Sequence, residues 1–354
     1  MAGFPVSHSK SPLIFNTLFR EMGIQACYSR ISAGSADEAA AQYRRLGLSG
    51  MNITAPLKKE MLGITRQQDE AAGAIGAVNT VTGENSLLSG YNTDHFGVSH
   101  TLSENGIDAA GKDCLVIGAG SAARAAAYAL TGMGGNVRII NRTYKKAHTL
   151  AGDMNCNTAV FENLQSEISD CDILVSTIPS GLEMIKNSWF RKETLVLDAV
   201  YPDRVLTKTA ESAGCTVIRG EHWLVNQAVP AFRIFTGREI GHREKDKLLG
   251  TIIDSAVQVT KIRLLGNTGP IKQIKEALED AFKTLEVACI PEPDGSGISS
   301  HKAGTGKQTF RILVSSDNRY RDRSFFPSAD LIIPFSGEVE GTLIRLKKEL
   351  QNVL

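Results

Sequence analysis

The sequence predicts an α/β protein with a doubly wound parallel sheet, which has helices on both faces. This prediction rests on one region of the chain. "CLVIGAG" from Cys114 is an apolar run that ends in a glycine turn, and "SAARAAAYALTGMGG" after it has the composition of an alanine-rich helix closed by glycines. "NVRIINRT", "CDILVSTIPSG", "TLVLDAVY" and "CTVIRG" repeat the pattern of a short apolar run that ends in polar residues. Strands alternating with helices in this way are typical of βαβ units.

Two helices are predicted before this region. Ser11 and Pro12 are typical of a helix cap and a first helical position. The apolar residues that follow at helical spacing are Leu13, Ile14, Leu18, Phe19 and Met22. Residues 36 to 46 form the second predicted helix.

The last third of the chain predicts a further piece of mixed structure. A helical stretch, with breaks, is expected from about Val225 to Leu265, and "GNTGP" at 266–270 is typical of a boundary. Beyond it, "FRILVSS" and "ADLIIPF" are predicted strands, and helical apolar stripes run from Ile271 to Leu285 and from Val339 to Leu350. We therefore expect a C-terminal α/β extension over residues 266–354.

The composition is that of a globular protein, and it provides no signal for a nucleic-acid-binding or membrane protein. The chain has 354 residues, of which 42% are hydrophobic and 22% charged, so two or three globular domains are expected. The net charge of +1 provides no global field for nucleic acid or an anionic membrane, and no apolar run is long enough to span a bilayer. The six cysteines are scattered without a C-x-x-C pair, which favours reduced thiols, a cytoplasmic location and no metal site.

The strongest chemical motif is a glycine turn between the first strand and the first helix of the alternating region. Gly118, Ala119, Gly120, Ser121, Ala122 and Ala123 follow the pattern G-x-G-x-x-A. The first glycine permits a tight turn, the second lets the backbone approach a pyrophosphate, and the small sixth residue lets helix and strand pack closely. An ordinary α/β turn is the alternative, but the flanking strand and helix favour a Rossmann-type dinucleotide-binding lobe.

The residues after the second strand predict which dinucleotide binds. An NAD enzyme usually has an acidic residue about twenty positions after the glycine turn, where it binds the ribose 2′-hydroxyl. Here the strand ends at Asn141, Arg142 and Thr143, with Lys146 nearby and no acid. These cations could be ordinary surface residues, yet the missing acid and the arginine agree with a 2′-phosphate. The predicted cofactor is NADP.

Polar residues in the first 95 positions suggest a small hydroxylated ligand. Ser9 and Ser11 precede a predicted helix, where hydroxyl and backbone N–H groups suit a carboxylate, although Ser11 could simply cap that helix. "GMNITAPLK" provides Asn52, Thr54 and Lys58, and "GAVNT" provides Asn79. Any one of these could be an ordinary turn residue, but together they suit a ligand rich in hydroxyl groups.

Taken together, these motifs resemble those of a known family, the NADP-dependent shikimate dehydrogenases. The resemblance rests on "PVSHSKSP", "GMNITAPLK", "IGAVNT", "GYNTD", "GAGSAARA" with "NRT", and "WLVNQAVPAF", in family order over roughly two thirds of the chain. It implies that the substrate is contacted by Ser9, Ser11, Asn52, Thr54, Lys58, Asn79, Asp94 and Gln227. It also implies that NADP is held by Gly118, Gly120, Ser121, Asn141, Arg142 and Thr143.

The resemblance further implies a two-lobed protein and a reaction. Residues 1–95 would form the substrate-binding lobe, 96–225 the Rossmann-type NADP-binding lobe, and 226–265 a helical return that completes the first lobe. Oxidising a secondary alcohol moves a hydride to the nicotinamide and a proton from oxygen to a base. Lys58 and Asp94 would be the catalytic pair, with Lys58 exchanging the proton and Asp94 orienting it and binding a substrate hydroxyl.

Three alternatives and two departures from the family remain. An exposed Lys58 would be an ordinary surface residue, a quinate/shikimate dehydrogenase would share these motifs, and a metabolite sensor could use the same fold without catalysis. Family members usually have a strand before the first turn, and Met1 to Gly3 are expected to be too few residues for one. Near Tyr201, proline and threonine (Pro202 and Thr207) also fall at offsets unlike those of the family. The extension lies outside the resemblance and is expected to be dispensable for turnover.

The extension contains two further patterns of uncertain meaning. "AGTGKQT" resembles a phosphate loop but has neither the required spacing nor a preceding strand. The basic and aromatic run from Lys302 to Phe326 could contact nucleic acid, but a solvated loop is the favoured interpretation. The expected partners are therefore a small-molecule substrate and NADP, without nucleic acid or membrane, in a monomer or homodimer.

Overall fold

A computed structural model describes most of the chain, namely residues 1–84, 87–179, 181–201, 205–253, 259–265, 269–281, 286–290, 308–315, 331–334 and 339–351. The possible phosphate loop at 303–309 and the basic run from Lys302 to Phe326 lie largely outside these residues. No helix in the described ranges is long and apolar enough to cross a membrane.

The elements up to residue 110 are β1 (Ala2–Gly3), α1 (Ser11–Glu21), β2 (Arg30–Ser32), α2 (Ala36–Arg45), β3 (Gly50–Asn52), α3 (Lys58–Ile64), β4 (Gln67–Gln68), α4 (Glu70–Ile75), β5 (Thr80–Glu84), β6 (Leu87–Tyr91) and α5 (Asp94–Glu104). From there to residue 220 they are β7 (Asp113–Ile117), α6 (Ser121–Gly132), β8 (Asn136–Ile140), α7 (Tyr144–Asp153), β9 (Asn157–Ala159), α8 (Leu164–Asp170), β10 (Ile173–Ser176), β11 (Leu195–Asp198), α9 (Val205–Ser212) and β12 (Thr216–Ile218). The remainder are α10 (Gly220–Thr236), α11 (His242–Ile253), β13 (Val259–Leu265), α12 (Gly269–Ala281), β14 (Glu286–Ile290), β15 (Gln308–Ser315), β16 (Leu331–Pro334) and α13 (Val339–Leu350).

The chain divides into two compact units. Unit 1 consists of Met1–Arg66, Thr80–Ser89 and Gly250–Leu354, and unit 2 consists of Gln67–Asn79 and Gly90–Leu249. In this division α10 belongs to unit 2 and the chain returns to unit 1 at Gly250, so the predicted return over residues 226–265 includes parts of both units.

Unit 2 contains the predicted parallel sheet, which has the order β12-β11-β10-β7-β8-β9. Every neighbouring pair in it is parallel. Along β7, Cys114 and Val116 enter one buried cluster while Leu115 and Ile117 enter another. Side chains of a strand alternate between the two faces, so both faces of this sheet are covered, as in doubly wound folds.

The helices on one face of unit 2 approach each other closely. A Cβ atom added to Gly97 of α5 would lie 1.9 Å from Cδ1 of Trp223, which is buried on α10. Only glycine fits there, because any side chain would overlap the indole ring. This contact fixes α5, which carries a predicted catalytic residue at its first position.

Unit 1 contains a six-stranded sheet of order β1-β2-β16-β15-β13-β14, again with parallel pairs throughout. The expectation that residues 1–3 cannot form a strand is wrong. Ala2–Gly3 pair with Ile31 and Ser32, because the Met1 and Gly3 carbonyls accept hydrogen bonds from the N–H groups of Ile31 (2.7 Å) and Ala33 (3.0 Å). A second pair in this unit, β3 with β5, is antiparallel.

The prediction of helix up to Leu265 is also wrong. Helix α11 ends at Ile253, and Val259–Leu265 form the strand β13, which lies between β14 and β15. Pairing on both sides of the backbone favours a strand over a helical continuation. The predicted strands and helices of the extension are present, but the extension is not a separate piece, since β16 pairs with β2.

Candidate active site

The glycine turn and the cationic loop follow two neighbouring strands. Ile117 at the end of β7 pairs with Ile140 at the end of β8, and the Gly118 N–H donates to the Ile140 carbonyl at 2.9 Å. Since parallel strands end at the same edge of a sheet, the residues after both strands lie at one edge. The structure therefore brings the two predicted parts of the dinucleotide site together within unit 2.

Gly118 is a position where no other residue fits. Its φ of +124° is a conformation that side chains rarely adopt, and an added Cβ would lie 2.2 Å from Oγ1 of Thr177. Thr177 follows β10, the strand on the other side of β7, and its hydroxyl donates to the Ile117 carbonyl at 2.9 Å. The sequence analysis missed Thr177, although its place after a strand beside β7 was a usable signal.

The first turn of α6 is arranged as an anion site. Gly120 is the residue before the helix, with no side chain capping the helix, and an added Cβ at Gly120 would have no atom within 4 Å. The backbone N–H groups of a first helical turn lack partners inside the helix, so a phosphate can accept from them. Ser121 begins the helix, Ala123 is fully buried, and Ala119 and Ala122 pack against the core of unit 2. This arrangement fits a dinucleotide pyrophosphate.

The loop after β8 presents positive charge. Asn141 closes the loop, since its side-chain Nδ2 donates to the Thr143 carbonyl at 3.1 Å. Arg142, Thr143 and Lys146 are exposed, and neither cation forms an ion pair within the described residues. Two such cations beside a dinucleotide turn fit a ribose 2′-phosphate, which Arg binds by charge-assisted hydrogen bonds.

A buried polar cluster surrounds Asn79 in unit 2. Its Nδ2 lies 2.9 Å from Asp94 Oδ1, 2.9 Å from Thr93 Oγ1 and 3.2 Å from Gln227 Oε1, while its Oδ1 accepts from the Thr93 N–H at 2.8 Å. Asn79 and Asp94 are almost fully buried. Residues from three separate motifs, Asn79, Asp94 and Gln227, therefore meet at one amide group.

The turn before Asp94 is held by side chains that the sequence analysis did not single out. Asn92, which is fully buried, accepts from the Asp94 N–H at 3.0 Å and donates to the Ala77 carbonyl at 2.8 Å. Asp94 is the first residue of α5, where the helix dipole favours a negative charge. Within "GYNTD", Asn92 and Thr93 therefore form a turn that orients the carboxylate of Asp94.

In unit 1, Asn52 is part of a network at the end of β3. Its Oδ1 accepts from the Tyr28 hydroxyl at 2.6 Å, and its Nδ2 donates to Thr80 Oγ1 at 2.9 Å. The Tyr28 ring stacks on Phe15 with centroids 4.3 Å apart. Tyr28 and Thr80 were missed by the sequence analysis, and no motif marks Tyr28.

The Ser9 and Ser11 hydroxyls are joined in a buried turn. Ser9 Oγ lies 3.2 Å from Ser11 Oγ and accepts from the Ser11 N–H at 3.3 Å. The prediction that Ser11 caps α1 is wrong, because Lys10 occupies the cap position and Ser11 is the first helical residue. Ser9 instead provides the oxygen that faces the first helical N–H.

Lys58 and Thr54 belong to the other predicted segment of unit 1. Lys58 is half-buried and begins α3, where a positive charge opposes the helix dipole and so does not serve the stability of the helix. Thr54 is half-buried, and its N–H donates to the Ala2 carbonyl at 2.9 Å. These features agree with a functional amine at position 58.

The fold and these residues define a class, the two-unit α/β proteins that bind a dinucleotide at the carboxyl edge of a parallel sheet. A family model described as "Shikimate dehydrogenase substrate binding domain" matches residues 1–81, and one described as "Shikimate / quinate 5-dehydrogenase" matches residues 101–219. The chain belongs to the shikimate dehydrogenase family.

Individual relatives agree with this assignment. The shikimate dehydrogenase (NADP(+)) of Methanothrix thermoacetophila is 35% identical over 243 residues, which cover 66% of this chain and 90% of that enzyme. The crystal structure of shikimate dehydrogenase from Aquifex aeolicus matches with a TM-score of 0.65 at 32% identity, covering 70% of this chain and 95% of that one. Shikimate 5-dehydrogenase from Thermus thermophilus in complex with NADP(H) and shikimate matches with a TM-score of 0.64 at 30% identity, covering 71% and 97%.

Proposed function

We propose that this chain is an NADP-dependent shikimate dehydrogenase, an oxidoreductase that reversibly reduces 3-dehydroshikimate to shikimate in aromatic amino-acid biosynthesis. The observation that carries the proposal is the match over about nine tenths of relatives that bear this name, with every predicted site residue inside or beside the matched motifs. The cofactor is NADP, in agreement with the names of these relatives and with the solved complexes.

We propose that Lys58 exchanges the proton of the reaction. NADP, held by the glycine turn from Gly118 and by Arg142, would supply the acceptor for the hydride of the alcohol carbon. The hydroxyl proton must leave as the hydride does, and the Lys58 side chain is the group proposed to exchange it in both directions. At the first position of α3 a positive charge opposes the helix dipole, which agrees with a functional role for this amine.

We propose that Asp94 binds a substrate hydroxyl and helps to orient Lys58. The hydrogen bond from Asn79 fixes one carboxylate oxygen, and the Asn92 turn fixes the backbone at Asp94. A carboxylate held in this way has a defined orientation, which favours directed hydrogen bonding to a substrate hydroxyl. Gln227 joins the same amide group and is proposed to contact the substrate beside Asp94.

The remaining substrate contacts are proposed for unit 1. Ser9 and Ser11 provide hydroxyl groups that suit the carboxylate of shikimate, and their mutual hydrogen bond supports a shared task. Asn52 and Thr54 are proposed to bind ring hydroxyls. We also propose that residues 1–95 serve the substrate and residues 96–225 serve NADP, in a chain that works as a cytoplasmic monomer or homodimer.

Quinate is the second candidate substrate, because one of the matching family models is described as shikimate / quinate 5-dehydrogenase. Quinate and shikimate differ at the ring, so residues that bind ring hydroxyls would decide between them. A non-catalytic metabolite sensor on this fold is disfavoured by the presence of both Lys58 and Asp94.

The decisive experiment follows NADPH formation by absorbance with purified protein, NADP and either shikimate or quinate. We expect turnover with shikimate, and weaker turnover or none with quinate. Lys58→Ala protein from the same preparation controls for contaminating dehydrogenases. Turnover with neither substrate in the wild type would contradict both enzyme assignments and favour the sensor.

A further inference from the structure

The last helix of the extension is attached to the amino-terminal part of unit 1 by polar contacts. On α13, Arg345 Nη1 lies 2.7 Å from Glu38 Oε1 of α2 and 3.4 Å from the carbonyl oxygen of Ser32 in β2. The preceding strand β16 pairs with β2 through Leu331 and Ile332. The extension therefore belongs to the structure that carries the predicted substrate residues of this unit.

Glu349 makes the most specific of these contacts. It is fully buried, and its Oε2 accepts hydrogen bonds from the backbone N–H groups of Val6 at 2.8 Å and Ser7 at 2.9 Å. In return, the Ser7 hydroxyl donates to the carbonyl oxygen of Glu349. A segment near the end of the chain thus satisfies the backbone of residues 6 and 7.

These two N–H groups belong to a turn that ends at Ser9. The Ser9 N–H donates to the Val6 carbonyl at 3.1 Å, and the Ser9 carbonyl in turn accepts from the buried guanidinium of Arg30. Ser9 Oγ then contacts Ser11, as described above. The carboxylate of Glu349 and the guanidinium of Arg30 hold the beginning and the end of one turn.

The chemistry of Glu349 favours a positioning task over simple packing. A buried carboxylate is costly to desolvate, and an apolar side chain of similar size usually serves packing at least as well. Two charge-assisted hydrogen bonds to consecutive backbone N–H groups, however, fix a loop more tightly than apolar contacts can. The charge is therefore placed where it restricts the conformation of Val6–Ser9.

We propose that Glu349 is a positioning residue for substrate binding, which holds the Val6–Ser9 turn so that the Ser9 and Ser11 hydroxyls are set for the substrate carboxylate. This inference rests on the proposed function of the two serines. It assigns a role in shikimate binding to the extension, which the sequence analysis expected to be dispensable for turnover.

The test compares Glu349→Ala and Glu349→Gln with Glu340→Gln, which changes an exposed glutamate on the same helix. Calorimetric titration gives the affinity for shikimate, and steady-state kinetics give KM and kcat for shikimate and KM for NADP. Hydrogen exchange of the Val6 and Ser7 amides reports on the turn without requiring activity. Melting temperatures show whether each variant folds. If Glu349→Ala does not fold, the comparison rests on Glu349→Gln, which retains an acceptor oxygen.

We expect the Val6 and Ser7 amides to exchange faster in Glu349→Ala, and shikimate to bind roughly ten- to a hundred-fold more weakly, the usual effect of losing hydrogen bonds to a charged group. Glu349→Gln should lie between the wild type and Glu349→Ala, while KM for NADP and kcat at saturating shikimate should change little. Glu340→Gln should match the wild type in every measurement.

Three results would overturn the inference. Unchanged amide exchange in both Glu349 variants would show that the carboxylate does not hold the turn. Faster exchange with unchanged shikimate affinity, or equal losses for shikimate and NADP, would show a purely structural role. A wild-type chain that neither binds nor oxidises shikimate would instead contradict the proposed function, and the exchange data would still decide whether Glu349 holds the turn.

Discussion

Asn79 donates from its side-chain Nδ2 to Oδ1 of Asp94 at a distance of 2.9 Å, and both side chains are buried. The same amide group also lies within hydrogen-bond distance of Thr93 and Gln227. Asn79 comes from the segment before β5, Asp94 begins α5, and Gln227 lies on α10. One asparagine therefore orients the proposed catalytic carboxylate relative to a helix more than a hundred residues away.

Asn79→Ala should reduce kcat/KM for shikimate by about tenfold to a hundredfold, because a buried hydrogen-bonding partner is lost and Asp94 can rotate. Asn105→Ala, which removes an exposed side chain that bonds the Thr101 carbonyl, is the matched control and should have little effect. Steady-state kinetics with purified variants provide the measurement. If Asn79→Ala behaved like Asn105→Ala, the amide would not orient Asp94 for the reaction.

Cofactor choice should depend on Arg142. Replacing it with Ala should weaken NADP binding by about tenfold to a hundredfold and leave NAD binding almost unchanged, because the lost interaction is a charge-assisted contact with the 2′-phosphate. The measurement is the dissociation constant of each dinucleotide, obtained by titration. Lys208→Ala, which removes an exposed cation on α9, controls for the change in net charge. Equal losses for both dinucleotides would indicate that Arg142 has a structural role.

Acidification should destabilise unit 2 partly through His95. Burial lowers the pKa of His95 from its ordinary value of 6.5, although the neighbouring Asp94 opposes this change. The unfolded chain then binds a proton near pH 6.5 that the folded chain takes up only at lower pH. The contribution of His95 to stability is therefore complete above pH 6.5 and is lost as the pH falls below it.

His95→Gln should accordingly flatten the decrease in unfolding free energy between pH 7.5 and pH 5.5, as measured by chemical denaturation at several pH values. Each tenfold difference in proton affinity between the folded and unfolded chain is worth about 1.4 kcal/mol. His148→Gln, at an exposed histidine of α7, is the control and should leave the profile unchanged. A variant at position 95 that followed the wild-type profile would show that another group causes the pH dependence.

Sequence patterns predicted unit 2 well because its physical signals are local. The apolar run of β7, the glycine turn and the alanine-rich α6 are contiguous, and each has one favoured structure. Asn79, Asp94 and Gln227 were identified through motifs, and the structure brings these three together. Thr177 was missed because its task depends on which strand lies beside β7, which no local pattern contains.

Unit 1 was predicted less well because its sheet is assembled from distant segments. Ala2–Gly3 are too short to predict a strand alone, and they form one because β2 offers a parallel partner. Likewise, Val259–Leu265 become a strand through pairing with β14 and β15. The contact of Glu349 with Val6 and Ser7 spans most of the chain, so neither end carries a sequence signal for it.

The last prediction concerns Lys58 and Asp94, the proposed catalytic pair. Lys58→Ala should reduce kcat by roughly a hundred- to ten-thousand-fold, which is the usual contribution of a positioned acid or base. The affinity for shikimate should change less, because proton exchange matters most in the transition state. Asp94→Asn keeps the shape of the side chain but removes its charge, and it should also slow turnover.

The double variant distinguishes a shared task from two separate ones. If Asp94 acts through Lys58, removing both should cost much less than the product of the two single losses, because the second change removes a group whose partner is already gone. Single-turnover and steady-state rates for the wild type, both single variants and the double variant provide the full cycle. Lys59→Ala, at the exposed neighbouring position in α3, is the matched control for Lys58→Ala and should retain turnover. Losses that multiply fully would mean that Lys58 and Asp94 contribute independently, so that Asp94 would bind substrate without orienting the lysine.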